Sequence, residues 1–141
     1  MDEGSWSPGS PTADLLMRVY VAFMEGDHQR WLALHDPDCE FDLSRYDHWD
    51  GTSVYRGHEE IQRFRHDWEE TFETEAADLE QLIELQDGRF LLSVNRRSRR
   101  RADGERLDEA LALIGEADKG RISRVTTYSD RAEAMRAAGL A

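Results

Sequence analysis

The stretch YRGHEEIQRFRHDWEETF, residues 55 to 72, decides the fold. Its large apolar residues recur at every third or fourth position, which places them on one stripe of a helix. These residues are Ile61, Phe64, Trp68 and Phe72. Gly57 follows the extended Tyr55-Arg56 segment, where a sharp change of direction favours glycine. The sequence therefore predicts a strand-to-helix corner and a helix over residues 57 to 73 that covers a wide apolar surface.

Length and composition favour one globular domain. The chain has 141 residues, of which 39% are hydrophobic, and no second compositional block occurs. Residues 1 to 11 are rich in proline, glycine and serine, so we predict a flexible N-terminal arm before a single domain of residues 12 to 141.

Charge and cysteine content exclude several classes of function. The formal net charge of −12 opposes binding to nucleic acid and to anionic membranes. Cys39 is the only cysteine, so neither an intrachain disulfide nor a thiol zinc site can form. The sequence also lacks a signal-peptide pattern at its start and an apolar run long enough to span a membrane. We therefore predict a cytoplasmic protein with no metal and no membrane segment.

Two helices are predicted before the first strand. Thr12 is expected to cap the first helix, Gly26 to end it, and Asp27 to cap the second. His28 and His35 lie at the two ends of the second helix. We interpret both as surface or capping histidines, because neither has a second histidine at metal-ligand spacing.

A short strand and a loop of mixed composition come next. The stretch CEFDL, residues 39 to 43, alternates apolar with acidic side chains, which predicts a half-buried strand with Phe41 inside and Asp42 pointing away from it. Residues 44 to 53, SRYDHWDGTS, combine aromatic, acidic and histidine side chains without a period. This composition fits a polar surface loop and also fits the rim of a binding pocket, since binding residues often lie on loops held by a scaffold.

Extended segments after the long helix predict a four-strand antiparallel meander. Its turns are Asp87-Gly88, Ala102-Asp103-Gly104 and Asp118-Lys119-Gly120. Within one strand, Phe90, Leu92 and Val94 share a face opposite Leu91, and a sheet that is apolar on both faces must bury both. We therefore predict a homodimer through the outer face of the sheet.

Five arginines lie between residues 96 and 101. Alternate residues of a strand point to opposite faces, so we predict a solvated hairpin tip with ion pairs rather than a nucleic-acid patch. If Asn95 and Arg97 share the inner face, burial of the arginine requires a carboxylate such as Glu109 across the ladder.

The order of elements resembles the nuclear transport factor 2-like superfamily, and within it the SnoaL-like, polyketide cyclase-like group. The resemblance covers roughly residues 12 to 140 and rests on several junctions. These are FMEGD at 23–27, LHDPDCEF at 34–41, YRGHEEI at 55–61, GRI at 120–122, and YSDRAEA at 128–134 with AGL at 138–140. It implies an α+β fold with a cone-shaped, curved antiparallel sheet wrapped around a long helix, a cystatin-like α+β barrel. It also implies a pocket for a small, largely apolar ligand, a dimer through the convex face and no cofactor.

The catalytic patterns of the best-defined enzymes in this superfamily are absent. The positions of the general base and of the tyrosine donor of the ketosteroid isomerases hold Leu43 and Val19. The epoxide hydrolases resemble this chain in an asparagine and an arginine, at Asn95 and Arg97. The two acids of their triad are replaced by Arg99 and Thr127.

Two classes of function remain open. The first is a cofactor-independent lyase, isomerase or hydrolase that uses acid/base groups. We predict its catalytic residues as Asp42, His48 and Glu109, with Tyr46, Asp47 and Tyr55 as further candidates. The second is a non-catalytic module for ligand binding or dimerisation. In either case we predict substrate-binding residues Tyr46, Trp49 and Tyr55 at a loop rim and Asn95, Arg97 and Thr127 on the strands.

Overall fold

The computed structural model describes residues 10 to 140, which form four α-helices and six strands. In chain order these are α1 (Pro11–Glu25), α2 (His28–Ala33), β1 (His35–Arg45), β2 (Val54–Arg56), α3 (Gly57–Thr71), β3 (Phe72–Glu84), β4 (Arg89–Arg100), β5 (Arg106–Asp118), β6 (Arg121–Tyr128) and α4 (Arg131–Ala137). The arrangement confirms the predicted α+β fold class. Within the described residues, no helix is long and apolar enough to cross a bilayer.

The first helix begins earlier than predicted. Ser10, rather than Thr12, is the N-cap, and its side chain accepts a hydrogen bond from the Ala13 N–H at 3.0 Å. Pro11 follows at the first helical position, where its missing N–H costs nothing. Residues 10 and 11 therefore belong to the domain, and the rest of the predicted arm, residues 1 to 9, lies outside the described residues.

All six strands form one curved, unclosed sheet in the order β2-β1-β6-β5-β4-β3. Strands β3 to β6 form the predicted antiparallel meander. Strand β1 pairs antiparallel with β2 but parallel with β6, so one pair of the otherwise antiparallel sheet is parallel. The whole of β2 to β5 forms the crossover that a parallel pair requires.

Helix α3 lies against the inner face of the sheet, which we define as the face bearing Phe90, Leu92 and Val94. The helix ends at Thr71, two residues earlier than predicted, because Phe72 takes an extended conformation and pairs with Arg100 as the first residue of β3. Phe72 nevertheless stays in the core, with its ring 4.9 Å from that of Trp68. The apolar stripe therefore crosses from helix to strand without interruption.

The short helix α4 packs on the outer face of the sheet. It covers Leu91 and Ala112, which form a second apolar cluster with Ala134 of the helix. Arg131 fastens the helix by donating from Nε to the Leu111 carbonyl at 3.1 Å and from Nη2 to a carbonyl of β4, also at 3.1 Å. The chain itself thus buries part of the outer apolar face that was predicted to need a partner. The homodimer stays a prediction.

Candidate functional site

A cavity of about 240 Å³ lies between the inner face of the sheet and helices α1 and α3. Its wall is almost entirely apolar. The polar side chains in the wall are Tyr20, His35, Thr74, Arg96 and Thr127. Concave, apolar spaces with a few convergent polar groups are the usual form of small-molecule sites. The cavity is therefore the candidate functional site.

Strand alternation builds one side of the cavity. Phe90, Leu92, Val94 and Arg96 follow one another at every second position of β4 and all line it. On the neighbouring strand, a Cβ at Gly115 would come within 2.3 Å of the Phe90 ring. Glycine at this position therefore makes room for the ring that closes this part of the wall.

Arg96 is the charged residue of the wall, and it is only 5% exposed. Its guanidinium carbon lies 4.1 Å from the centre of the Trp68 ring and 5.0 Å from that of Phe72, which are cation–π distances. Its Nη2 donates to Oε1 of Glu109, the residue directly across the ladder, and to the Tyr46 hydroxyl. Both a carboxylate and aromatic faces thus compensate the buried charge.

Behind Arg96, three side chains connect the cavity wall to the surface. The Tyr46 hydroxyl donates to Glu109 Oε1 at 2.9 Å, and burial raises the pKa of this phenol well above its usual range, so it stays protonated. Glu109 Oε2 lies 3.8 Å from Nε2 of His48, whose side chain is 39% exposed. We call Tyr46, His48, Arg96 and Glu109 the Arg96 cluster. Of its members, Arg96 alone lines the cavity.

Three of the six buried side-chain atoms without a hydrogen-bond partner in residues 10 to 140 lie in or beside this cluster, and the others belong to Arg65 and Arg99. Among the described residues, Nε of Arg96, Nε1 of Trp68 and Oγ of Ser98 have no hydrogen-bond partner. Arg96 and Trp68 both line the cavity, and Ser98 follows on the same face of β4. A buried polar atom without a partner costs about 1 to 3 kcal/mol. Two residues that form this end of the cavity wall, Arg96 and Trp68, therefore each carry an unsatisfied buried donor.

His35 is buried, contrary to its interpretation as a surface or capping residue, and it lines the cavity. Its Nδ1 lies 2.7 Å from the Trp31 carbonyl oxygen, a contact that requires the proton on Nδ1. Burial lowers the pKa of His35 from 6.5 to about 4. The ring is therefore neutral at pH 7, with an unprotonated Nε2. The described residues contain no group of three or more side chains able to hold a metal ion.

Several predicted site residues lie together. The structure places Thr127 in the cavity wall and brings Tyr46, His48 and Glu109 together at Arg96. Leu43 and Val19, which the sequence resemblance placed at the general-base and tyrosine-donor positions of the ketosteroid isomerases, also line the cavity. They contribute apolar surface there.

The predicted placement of Arg97 and Asn95 inside the cavity is wrong. Arg97 is on the outer side of the sheet, with its side chain 56% exposed and Nη2 4.0 Å from Asp78 Oδ2. Asn95 lies two residues earlier on the same outer face, so it does not line the cavity either. Asp42 points away from the inner-facing Phe41, as predicted, and its Oδ1 accepts a hydrogen bond from the Ser44 N–H at 2.9 Å. It therefore does not line the cavity, where its predicted catalytic role would require it. The predicted register of β4 was shifted by one residue, which exchanges the two faces.

Trp49 and Tyr55 were predicted at the pocket rim, but neither lines the cavity. Tyr55 is fully buried, and its hydroxyl donates to Asp67 of α3 at 3.1 Å. The ring of Trp49 stacks on that of Trp68 at 5.6 Å. Both residues therefore pack the loop of residues 44 to 53 and strand β2 against α3.

The arginine run divides between the two faces and the hairpin tip, as predicted. Arg100 pairs with Asp103 and Glu105 at the turn, each at 3.3 Å, and Arg101 donates to the Glu69 carbonyl. The inner position belongs to Arg96. The signal for it was present in the sequence, because the alternation of Phe90, Leu92 and Val94 continues to residue 96.

The cone-shaped arrangement of these elements is the fold of the nuclear transport factor 2-like proteins, including SnoaL-like polyketide cyclases. No protein-family model matches the sequence, and no curated protein matches it. Among solved structures, a candidate isomerase from Bacillus subtilis is similar over 93% of this chain and 94% of its own, at 16% identity and a TM-score of 0.74. A candidate polyketide cyclase from Pseudomonas putida is similar over 91% of this chain and 98% of its own, at 20% identity and a TM-score of 0.71. TerC, co-crystallised with polyporic acid, is similar over 90% of this chain and 97% of its own, at 18% identity and a TM-score of 0.69.

Proposed function

We propose that the protein binds a small, largely apolar molecule in this cavity and that Arg96 anchors a hydrogen-bond acceptor on the ligand. The observation that carries the proposal is the position of Arg96, a buried cation in the wall of an apolar cavity. Its hydrogen bonds to Tyr46 and Glu109 use Nη2 alone. The guanidinium therefore has N–H groups left for a ligand.

The chemistry of these donors suggests the class of ligand. A guanidinium favours a carboxylate, an enolate or a carbonyl oxygen, and hydrogen bonds to charged groups contribute about 1.5 to 3 kcal/mol. The indole N–H of Trp68, which has no partner among the described residues, is a second donor at the same end. A ligand with an acceptor can satisfy such a donor, whereas a purely apolar ligand gains no hydrogen bond there, so the proposed site favours the first.

Other proteins with this fold can indicate only the general class of ligand, because one fold hosts many functions. The similar structures include candidates for a polyketide cyclase and an isomerase, as well as TerC with bound polyporic acid. The size and apolar character of the proposed ligand come from the cavity of this chain. The polar anchor comes from the residues of this chain.

Cofactor-independent acid/base catalysis of the lyase, isomerase or hydrolase type is the second candidate. The hydrogen-bonded arrangement of Tyr46, Glu109 and His48 favours it, since such groups can exchange protons. However, neither Glu109 nor Asp42 lines the cavity, and His48 is partly exposed. Binding without turnover therefore has the better support.

A comparison of two ligands tests the proposed binding. Biphenyl-4-carboxylate and 4-isopropylbiphenyl have similar shapes, but only the first carries an acceptor. We expect the carboxylate to bind at least about tenfold more tightly, as one charge-assisted hydrogen bond implies. Chemical-shift changes in a protein-observed NMR titration should map to the Trp31 and Trp68 indoles, which line the cavity.

The double variant Arg96→Met with Glu109→Leu removes the anchor without leaving a buried charge. It should bind the two ligands with similar affinity. Arg97→Met is the matched control, because Arg97 is the neighbouring arginine on the outer face. Equal binding of both ligands to the unmodified protein, or a preference that survives in the double variant, contradicts the role of Arg96.

A further inference from the structure

We propose that the cavity recognises its ligand at two ends, and that Nε2 of His35 accepts a hydrogen bond from a hydroxyl or N–H group at the end opposite Arg96. This inference rests on the proposed function and extends it. The ligand class becomes an elongated, largely apolar molecule with an acceptor at one end and a donor at the other. A hydroxylated aromatic acid is the simplest example.

The hydrogen bond at Nδ1 fixes the role of the other ring nitrogen. The Trp31 carbonyl can only accept, so Nδ1 of His35 must donate to it and Nε2 must carry the lone pair. The residue is 2% exposed and belongs to the cavity wall. His35 is thus a buried acceptor at a place where ligand atoms can approach.

The residues around His35 favour its neutral form and cover its ring mainly with aromatic carbon. Its ring lies 4.4 Å from the ring of Trp31 and 5.3 Å from that of Phe41, so aromatic carbon covers much of it. The nearby titratable groups are His58, whose Nε2 lies 2.8 Å from the His35 carbonyl oxygen, and Arg65. Both oppose protonation of the imidazole. A ligand donor therefore meets an imidazole rather than an imidazolium.

Ladder register separates the two ends. Arg96 pairs with Glu109 near the start of β5, whereas His35 pairs with Ile122, which pairs with Ala117 near the end of β5. Leu111 and Leu113 line the cavity between these levels. A ligand that engages both polar residues must therefore span an apolar middle section.

A second ligand comparison tests this arrangement. We expect 4′-hydroxybiphenyl-4-carboxylate to bind about threefold to tenfold more tightly than biphenyl-4-carboxylate, the gain of one neutral hydrogen bond. The 4′-methoxy compound accepts but cannot donate, so it should show no gain. The 2′-hydroxy isomer, which places its hydroxyl away from the far end, should show none either.

Variants at position 35 assign the gain to the imidazole. His35→Phe should abolish the preference for the hydroxyl compound while both carboxylates still bind, and His35→Gln, which keeps an acceptor, should restore part of it. His66→Phe is the control, because His66 is an exposed histidine of α3. In the unmodified protein, 15N NMR should report the proton on Nδ1 and a shift of the Nε2 resonance when the hydroxyl compound binds.

The outcomes separate the two proposals. Arg96-dependent binding of biphenyl-4-carboxylate without any gain from the hydroxyl group overturns the role of His35 and leaves the proposed function standing. A proton found on Nε2 in the free protein overturns it independently of any ligand. If no carboxylate binds at all, both proposals fail.

Discussion

The guanidinium carbon of Arg96 lies 4.1 Å from the centre of the Trp68 ring. This contact joins the inner face of β4 to the apolar stripe of α3. A cation with so little exposure is tolerated because an aromatic face lies against it and Glu109 neutralises it across the ladder. The same contact places a charged donor in a cavity wall that is otherwise apolar.

Removal of Arg96 alone should destabilise the protein strongly. Arg96→Met leaves the Glu109 carboxylate buried without its cation, and breaking such a pair costs about 3 to 5 kcal/mol. The double variant with Glu109→Leu should recover most of this loss, because no uncompensated charge remains. Urea unfolding at pH 7 measures both changes.

Arg97→Met is the matched control for the Arg96→Met variant. Its side chain is exposed on the outer face, so we expect a change within about 0.5 kcal/mol. Equal losses for Arg96→Met and Arg97→Met would show that the Arg96 pair makes no special contribution to stability.

Trp68→Ala should lower the unfolding free energy by about 3 to 5 kcal/mol, because it removes a large buried ring. The ring contacts those of Phe64 and Phe72 as well as Arg96. Gln62→Ala, on the exposed side of the same helix, should change stability by no more than about 0.5 kcal/mol. A Trp68→Ala effect as small as that of the control would mean that the stripe is not the core of the fold.

The fold could be predicted because local patterns and tertiary packing agree. The stripe of α3 has the helical period, and Asp87 and Gly88 both adopt the positive φ angles, 63° and 74°, that their hairpin turn requires. Gly26 likewise ends α1 in the left-handed conformation. Each of these features is read from residues close together in the sequence.

The site was harder to predict because it depends on register and on distant contacts. A slip of one residue exchanges the faces of a strand, and Asn95 and Arg97 were placed inside for that reason. The correct signal was the continuation of Phe90, Leu92 and Val94 to Arg96. For His35, no local pattern shows that the Trp31 carbonyl accepts its Nδ1 proton or that aromatic rings cover it.

The burial of neutral His35 should make stability depend on pH. Its pKa is lowered from 6.5 to about 4, so the unfolded chain takes up a proton at this site before the folded chain does. The stabilising contribution is fully present above pH 6.5 and is lost as the pH falls towards 4. It amounts to about 3 kcal/mol at most, at about 1.4 kcal/mol per pKa unit.

Urea unfolding at intervals between pH 7 and pH 4 measures this loss. Carboxylates also titrate in this range, so the informative quantity is the difference between the unmodified protein and His35→Gln. We expect His35→Gln to flatten the curve and His66→Gln, an exposed site, to leave it unchanged. Parallel curves for all three proteins would contradict a buried neutral imidazole at position 35.

The predicted homodimer now depends on the part of the outer face that α4 leaves partly uncovered. Leu91 and Ala112 are buried by the helix, but apolar side chains around them are only partly buried. These are Ile83, Leu85, Ile114, Tyr128 and Met135. A second copy of the chain that covers this patch would bury its apolar surface away from water. That burial would be the driving force for the predicted homodimer.

Light scattering at micromolar concentration should then give twice the chain mass of 16.3 kDa. Ile83→Glu places a charge in the patch and should shift the mass towards the monomer, whereas Gln62→Glu on the exposed side of α3 adds the same charge elsewhere and should not. A monomer mass for the unmodified protein would mean that α4 alone gives the outer face enough cover. A dimer that is insensitive to Ile83→Glu would place the interface on another surface.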